Sequence, residues 1–401
     1  MSKPEAGRVT LLSGAAYSGM FVFGIVMALL GAILPAMANR LEFAVADIGT
    51  LFLAMNAAML ATSLVLGVAM DRFGMKPPLA AGAIVVALAL VIVARAAALG
   101  DLLGAVVLLG CGGGALNGGT NTLVADLHDD PRRKRAALNV LGVFFGFGAL
   151  LLPFAIGALL ARFSLSTLLL VTALLCAAVG VFAAVLPFPP PKQGHRLPIA
   201  DMPRFLRDPL VLTLASLLFF QSGVEFTLGG FISTYLTREM AASVSLASWV
   251  LAAYWATIMG ARLVISRVAA GTSPHRVLAF CASGALAGAF VAAVAAGPST
   301  AALGIGIMGV SLAGVFPTVL GIAGARFATH SGTVFGILFT VALAGGMSFP
   351  WTAGQIGETQ GLRWVFILVA FAYVAILALG RVAARLDAPS RHRVSALPGQ
   401  V

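Results

Sequence analysis

The sequence predicts an all-α integral membrane protein, with twelve transmembrane helices in two pseudo-symmetric six-helix bundles. Three observations carry that prediction: the composition, a regular series of long apolar runs, and glycines and prolines that recur at nearly one offset. Of the 401 residues, 60% are hydrophobic and 10% charged, and the mean hydropathy is +1.03. Soluble domains carry about 25% charged residues, so a water-soluble fold of this size has no means of covering so much apolar surface. A transmembrane barrel is excluded too, because its strands read as ~10-residue alternating segments rather than unbroken runs.

The apolar runs give twelve spans, since ~20 such residues cross the hydrocarbon core. Their limits are 11–36, 47–70, 78–99, 102–125, 136–161 and 167–187, then 208–236, 246–269, 276–296, 300–325, 333–354 and 364–386. The first run is too long for a signal-peptide core and is expected to remain as a helix. Between the sixth and seventh runs lies a proline- and charge-rich stretch, "FPPPKQGHRLPIADMPRFLRD". It divides the chain into an N-terminal half (1–187), a linker (188–207) and a C-terminal half with a short tail (208–401).

The net charge of +11 does not point to nucleic acid, because the basic residues sit in short tracts between apolar runs, such as "PRRKR" at 131–135. Of the 25 Lys and Arg, all but Arg40, Arg95, Arg162, Arg238, Arg363 and the intraspan Arg262 fall on one side when the spans alternate. The positive-inside rule makes that side the cytoplasm. The expectation is a multi-pass protein of a bacterial-type inner membrane, with both termini cytoplasmic and the lipid bilayer as its surroundings. Cys111, Cys176 and Cys281 all lie inside apolar runs and read as small hydrophobes. The sequence offers no metal-ligand cluster.

The halves repeat. A slide of 199 residues lays Gly24 on Gly223 and Gly31 on Gly230; a slide of 197 lays Gly148 on Gly345, Pro153 on Pro350 and Gly157 on Gly354. Against this background one side chain stands out. Glu225 is the single acid deep within a span, in "LLFFQSGVEFTLGGFISTYL". Under the repeat it faces Val26, so it belongs to one half only. An acid at that depth costs roughly 2.5–3.5 kcal/mol even on the gentler insertion scales. Gln221, Glu225, Gly229 and Ser233 recur every fourth residue and form one polar or small face that lipid would not tolerate. In the fourth span Gly110, Gly113, Gly114, Asn117, Thr120 and Asn121 form a second stripe. Asn117 and Asn121 read either as interhelical glue or as part of a solute site. Tyr254 and Trp255 either stack on a solute or pack, and Arg262 reads as a snorkelling or interhelical charge.

The loop after the second span is "GVAMDRFGMKPP", from Gly67 to Pro78. It resembles the G-x-x-x-D-R-x-G-x-K signature of the major facilitator superfamily. The resemblance implies the major facilitator fold and a conformational latch made by Gly67, Asp71, Arg72, Gly74 and Lys76. The residues read compatibly: Gly67 would admit a close helix, Gly74 a tight turn, and Asp71 the positive end of the eleventh span near Ser331–Thr333. A solvated turn that only anchors orientation is the other reading. Stretches 112–127, 138–153, 221–236 and 313–339 resemble the fucose/glucose–galactose branch of that superfamily. That branch carries an acid where this chain has Asn117, and His or Gln where it has Gly142.

The resemblance implies a secondary active transporter, not an enzyme, moving a small polar solute, a sugar, by alternating access. It implies coupling to a cation, a proton or a sodium ion; no cofactor is expected, and the monomer is expected to be the functional unit. A second reading is an efflux antiporter for amphipathic molecules. A receptor or membrane enzyme would need a signalling domain, metal ligands or a nucleophile–base pair. A nucleotide-driven pump would need a G-x-x-x-x-G-K-[ST] loop, and none is present. Glu225, Gln221, Asn117, Asn121, Tyr254 and Trp255 are the residues expected to carry the solute or the coupling ion.

Overall fold

A computed structural model describes residues 3–38, 40–128, 130–189, 202–268, 271–327 and 330–387. The described residues are helical, with short connections. The first half comprises α1 (Lys3–Met37), α2 (Val45–Phe73), α3 (Lys76–Arg95), α4 (Leu99–Leu127), α5 (Pro131–Leu159) and α6 (Leu165–Val185). A single turn, α7 (Met202–Phe205), precedes the second half. That half comprises α8 (Pro209–Arg238), α9 (Val244–Val268), α10 (Pro274–Ala293), α11 (Pro298–Leu312), α12 (Val315–Arg326), α13 (Ser331–Gln360) and α14 (Arg363–Asp387).

Among the described residues, 12 stretches are long and apolar enough to span a membrane, and each overlaps one expected run. One span differs in form. The tenth breaks between Leu312 and Val315 into α11 and α12. Apolar residues continue through the break, so composition alone gives no sign of it. Much of the expected linker, 190–201, lies outside the described residues.

Helix starts follow local chemistry. Asp208 accepts from the Leu210 and Val211 amides at 2.8 and 3.1 Å, and Asp101 accepts from Ala97 and Ala98 at 2.8 and 3.0 Å. Ser164 and Ser273 accept from Thr167 and Arg276 at 3.1 and 3.3 Å. Short oxygen-bearing side chains at these positions satisfy amides that the first turn leaves unpaired.

With an even number of crossings, both ends of the described chain lie on one face, the termini face; the other is the far face. The repeat is visible in the packing. In the first half, a Cβ on Gly148 would strike the Phe21 carbonyl, so α1 and α5 pack backbone to backbone. In the second half, a Cβ on Gly345 would strike the Phe219 carbonyl, which joins α8 and α13 the same way. Gly148 and Gly345 are repeat partners. The halves meet where α1 and α8 cross: a Cβ on Gly31 would run into the Gly229 carbonyl and lie 3.3 Å from the Gly230 Cα.

Further cross-half contacts run from the middle of the helices to the far face. Near the middle, Asn56 Nδ2 donates to the Gly346 carbonyl at 3.2 Å, and Phe145 meets Trp255 edge to face. At the far face, the Val45 amide donates to Glu358 at 2.6 Å, Arg238 donates to the Phe43 carbonyl at 3.2 Å, and Ser245 donates to the Gly157 carbonyl at 2.6 Å. Trp249 covers Gly157 and meets Phe154.

Candidate functional site

Glu225 sits mid-way along α8 and is 8% exposed. Its Oε1 lies 3.6 Å from Nη2 of Arg262, which α9 brings in from the next span. The arginine side chain keeps 29% of its surface accessible. Glu225 is the more buried of the two, and the guanidinium beside it offsets part of the cost of an ionised carboxylate there.

Around the pair the helices place polar groups in an otherwise apolar shell. Gln221, one turn before Glu225 on the same helix face, donates to the Leu312 carbonyl at 3.4 Å, beside the α11–α12 break. Tyr254 on α9 is fully buried within electrostatic reach of both Glu225 and Arg262, and Tyr373 on α14 within reach of Glu225. Trp255 lies 5.4 Å from Tyr254, ring to ring. The hydroxyls of Tyr254 and Tyr373, Trp255 Nε1, Arg262 Nε and Gln221 Oε1 are buried without a hydrogen-bond partner in the structure. Buried polar groups are ordinarily satisfied, so such a concentration at one place marks a site where a partner arrives from outside.

The expected residues thus fall into separate groups. Glu225, Gln221, Tyr254 and Trp255 come together, joined by Arg262 and Tyr373. Asn117 and Asn121 lie on α4 in the other half. There Asn121 Nδ2 donates to the Asn117 carbonyl at 2.8 Å and to its side-chain oxygen at 3.2 Å, so this amide serves its own helix. That corrects the interhelical reading of Asn121. Tyr254 and Trp255 are 0% and 2% exposed, so their rings are packed and offer only polar tips. Tyr373 and the Glu225–Arg262 pairing were missed from sequence. A signal for the pairing existed, since Arg262 is the one base within the span that follows that of Glu225.

A family model, Major Facilitator Superfamily, matches residues 16–229 and 214–400. The chain belongs to that superfamily. It is a membrane transporter, not an enzyme. Its fold is similar to that of the nucleoside transporter NupG, at 16% identity and TM-score 0.76 over 94% of this chain and 99% of that one. It is similar also to a bacterial homologue of the human lysosomal transporter Spinster in an inward-facing and occupied conformation. That match is at 15% identity and TM-score 0.74, over 96% and 98% of the two chains. The E. coli fucose:proton symporter FucP matches at 16% identity and TM-score 0.66, over 94% and 99%. No curated protein sequence matches the chain.

The superfamily loop folds as its glycine requires in one respect and departs in two. Gly74 closes α2 at φ 80°, a conformation that favours glycine, and its amide donates to the Met70 carbonyl at 2.9 Å. Gly67, however, admits no close helix: a Cβ there would meet nothing within 4 Å. Asp71 and Arg72 are exposed, and Arg72 rests over the Phe73 ring at 5.3 Å. Asp71 has no hydrogen bond or ion pair with the described residues, so the contact expected with the start of α13 is not made. The reason is geometric. The bonds that hold α2 to α13 lie at Val45 and Asn56, towards the far face and the middle.

Proposed function

We propose that this transporter moves a small polar solute of sugar size by alternating access, as a proton-coupled secondary carrier of a bacterial-type inner membrane. Both termini are cytoplasmic in this reading, and the functional unit is the monomer. The observation that carries it is the buried Glu225, paired with Arg262 and set among unpartnered hydroxyl, indole and amide groups. Secondary transporters of this architecture bind near the bilayer midplane, and Glu225 stands at that depth on α8. Glu225 serves as the coupling group. Arg262 holds its charge when the site is empty, and Gln221, Tyr254, Trp255 and Tyr373 supply hydrogen bonds to the solute. Asp71, exposed at the termini face, and Glu358, bonded at the far face, support a state open towards the termini. The sugar itself rests on resemblance, and the charges of the site narrow the class of solute further.

Glu225→Gln tests the reading. The amide keeps the size and much of the hydrogen bonding but does not ionise. In proteoliposomes the variant is expected to exchange labelled solute across the membrane yet to lose accumulation against a gradient. Full accumulation by the variant would show that Glu225 is structural.

A further inference from the structure

We propose that the solute is a small organic monoanion, a monocarboxylate with sugar acids included, and that it crosses together with one proton in an electroneutral step. This rests on the reading of Glu225 as the coupling group. The argument is one of charge balance at a buried place. Empty, the site brings the Glu225 carboxyl and the Arg262 guanidinium to 3.6 Å of one another; with both ionised the pair carries no net charge. A proton bound alone would leave Arg262 uncompensated, and an anion bound alone would leave a surplus negative charge. Either state leaves one charge beside the pair without its counter-charge, which is disfavoured within a span. A proton on Glu225 together with a monoanion on Arg262 restores neutrality. Glu225 passes from carboxylate to carboxylic acid, and Arg262 exchanges its internal partner for the solute's. No covalent bond changes besides the O–H bond formed and later broken on Glu225.

The surrounding groups agree with an acceptor-rich ligand. Arg262 Nε and Trp255 Nε1 are donors only, the Tyr254 and Tyr373 hydroxyls are able to donate, and all four are buried without a partner. Gln221 Oε1 is the one unpartnered acceptor beside them, which suits a protonated Glu225 or a solute hydroxyl. The ionisable groups facing Glu225 are few. Arg262 and Tyr254 come from α9 and Tyr373 from α14, with Cys281 of α10 behind Tyr373. The backbone carbonyl of Leu312 arrives from α11 by way of Gln221. The flanking α1 and α13 present Gly31 and Phe349 to α8. Arg262 is thus the basic group positioned to take an anion there.

Purified full-length protein in detergent gives the direct test. Gluconate, glucuronate and lactate would be titrated in by calorimetry in buffers of different protonation enthalpy, beside glucose and fucose. The expected result is binding of at least one acid with uptake of one proton per acid bound. The same acid in proteoliposomes should accumulate about tenfold per unit of pH gradient. Clamping the membrane potential with potassium and valinomycin should leave that accumulation unchanged. In Glu225→Gln the acid should still bind, without proton uptake, and its transport should now carry current. Arg262→Lys keeps the charge and guards against loss of folding; it should retain acid binding, weakened, whereas Arg262→Gln should abolish it. Three results would overturn the proposal: no acid binding, a charge moved per acid in the parent protein, or glucose or fucose binding in place of acids. Of these, Glu225-dependent accumulation of a neutral sugar would leave the proton-coupled reading standing and remove only the anion. Acid accumulation indifferent to Glu225→Gln would remove both.

Discussion

Glu358 does across the two halves what a capping side chain ordinarily does within one helix. It stands near the end of α13 and accepts from the Val45 amide at 2.6 Å, at the N-terminus of α2. A carboxylate at that end meets the positive pole of the helix as well as an unpaired amide. Glu358→Gln should weaken the far-face closure by about 0.3–2 kcal/mol. Since 1.4 kcal/mol is a factor of about ten, the ratio of open to closed states should shift severalfold. Spin labels at Glu42 and Thr359, both exposed, would report it as a new long-distance population; an unchanged distribution would deny Glu358 this role. Its importance was not legible in the sequence, where it reads as one more acid at a span end. Glu225 was legible, because its cost in a bilayer needs no structure to estimate. Its partner was harder to see, because Arg262 lies on another helix and long basic side chains so often reach for the interface instead.

Two of the four glycines of helix α5 have opposite surroundings. A Cβ on Gly148 would meet the Phe21 carbonyl of α1, while one on Gly142 would meet nothing within 4 Å. Gly148→Ala is therefore expected to lower the melting temperature sharply or to prevent folding, since backbone has no rotamer with which to yield. Gly142→Ala should be neutral or stabilising by about 0.5–1 kcal/mol, the usual gain on replacing a mid-helix glycine. Thermal unfolding of the two purified variants checks this, and equal melting temperatures would contradict the packing described for α1 and α5. The spans themselves could be read from sequence because a hydrocarbon slab imposes a length on every helix that crosses it. Glycine contacts are another matter: Gly148 and Gly67 look alike in the sequence, and only the neighbouring helix decides which is crowded. The interruption at Leu312–Val315 was hidden for a related reason, as apolar side chains flank it on both sides.

The proposed orientation of the entire bundle rests on the distribution of Lys and Arg, and Ser299 offers a clean test. It is exposed at the start of α11, on the far face. In a background without Cys111, Cys176 and Cys281, a cysteine at Ser299 should react with an impermeant maleimide added from the periplasmic side of intact cells. Labelling from the cytoplasmic side alone would invert the arrangement. The far-face contacts lead to a further expectation for Asp71. Because its carboxylate is exposed here, Asp71→Asn should leave this conformation nearly undisturbed. It should disfavour a conformation in which the termini face closes and the residue gains partners. Lifetimes of the two states by single-molecule fluorescence would separate these effects, and equal changes in both would count against a one-sided latch.

The crossing of α1 and α8 has a mechanical consequence. Gly31 and Gly229 touch without side chains between them, which makes a smooth bearing rather than a set of meshed teeth. Gly229 is four residues beyond Glu225, about 6 Å along the axis. A body rocking about a fulcrum so near the charged pair displaces its far ends most and the pair least. Glu225, Arg262, Tyr254 and Tyr373 also ride together on one arm of the lever. In the proposed alternating-access cycle, rocking would change which side has a view of the pair while leaving its internal geometry alone. On that proposal cargo recognition and gear train are separate parts, so side chains around the pair would be free to be exchanged for a new cargo without retooling the machine that carries it.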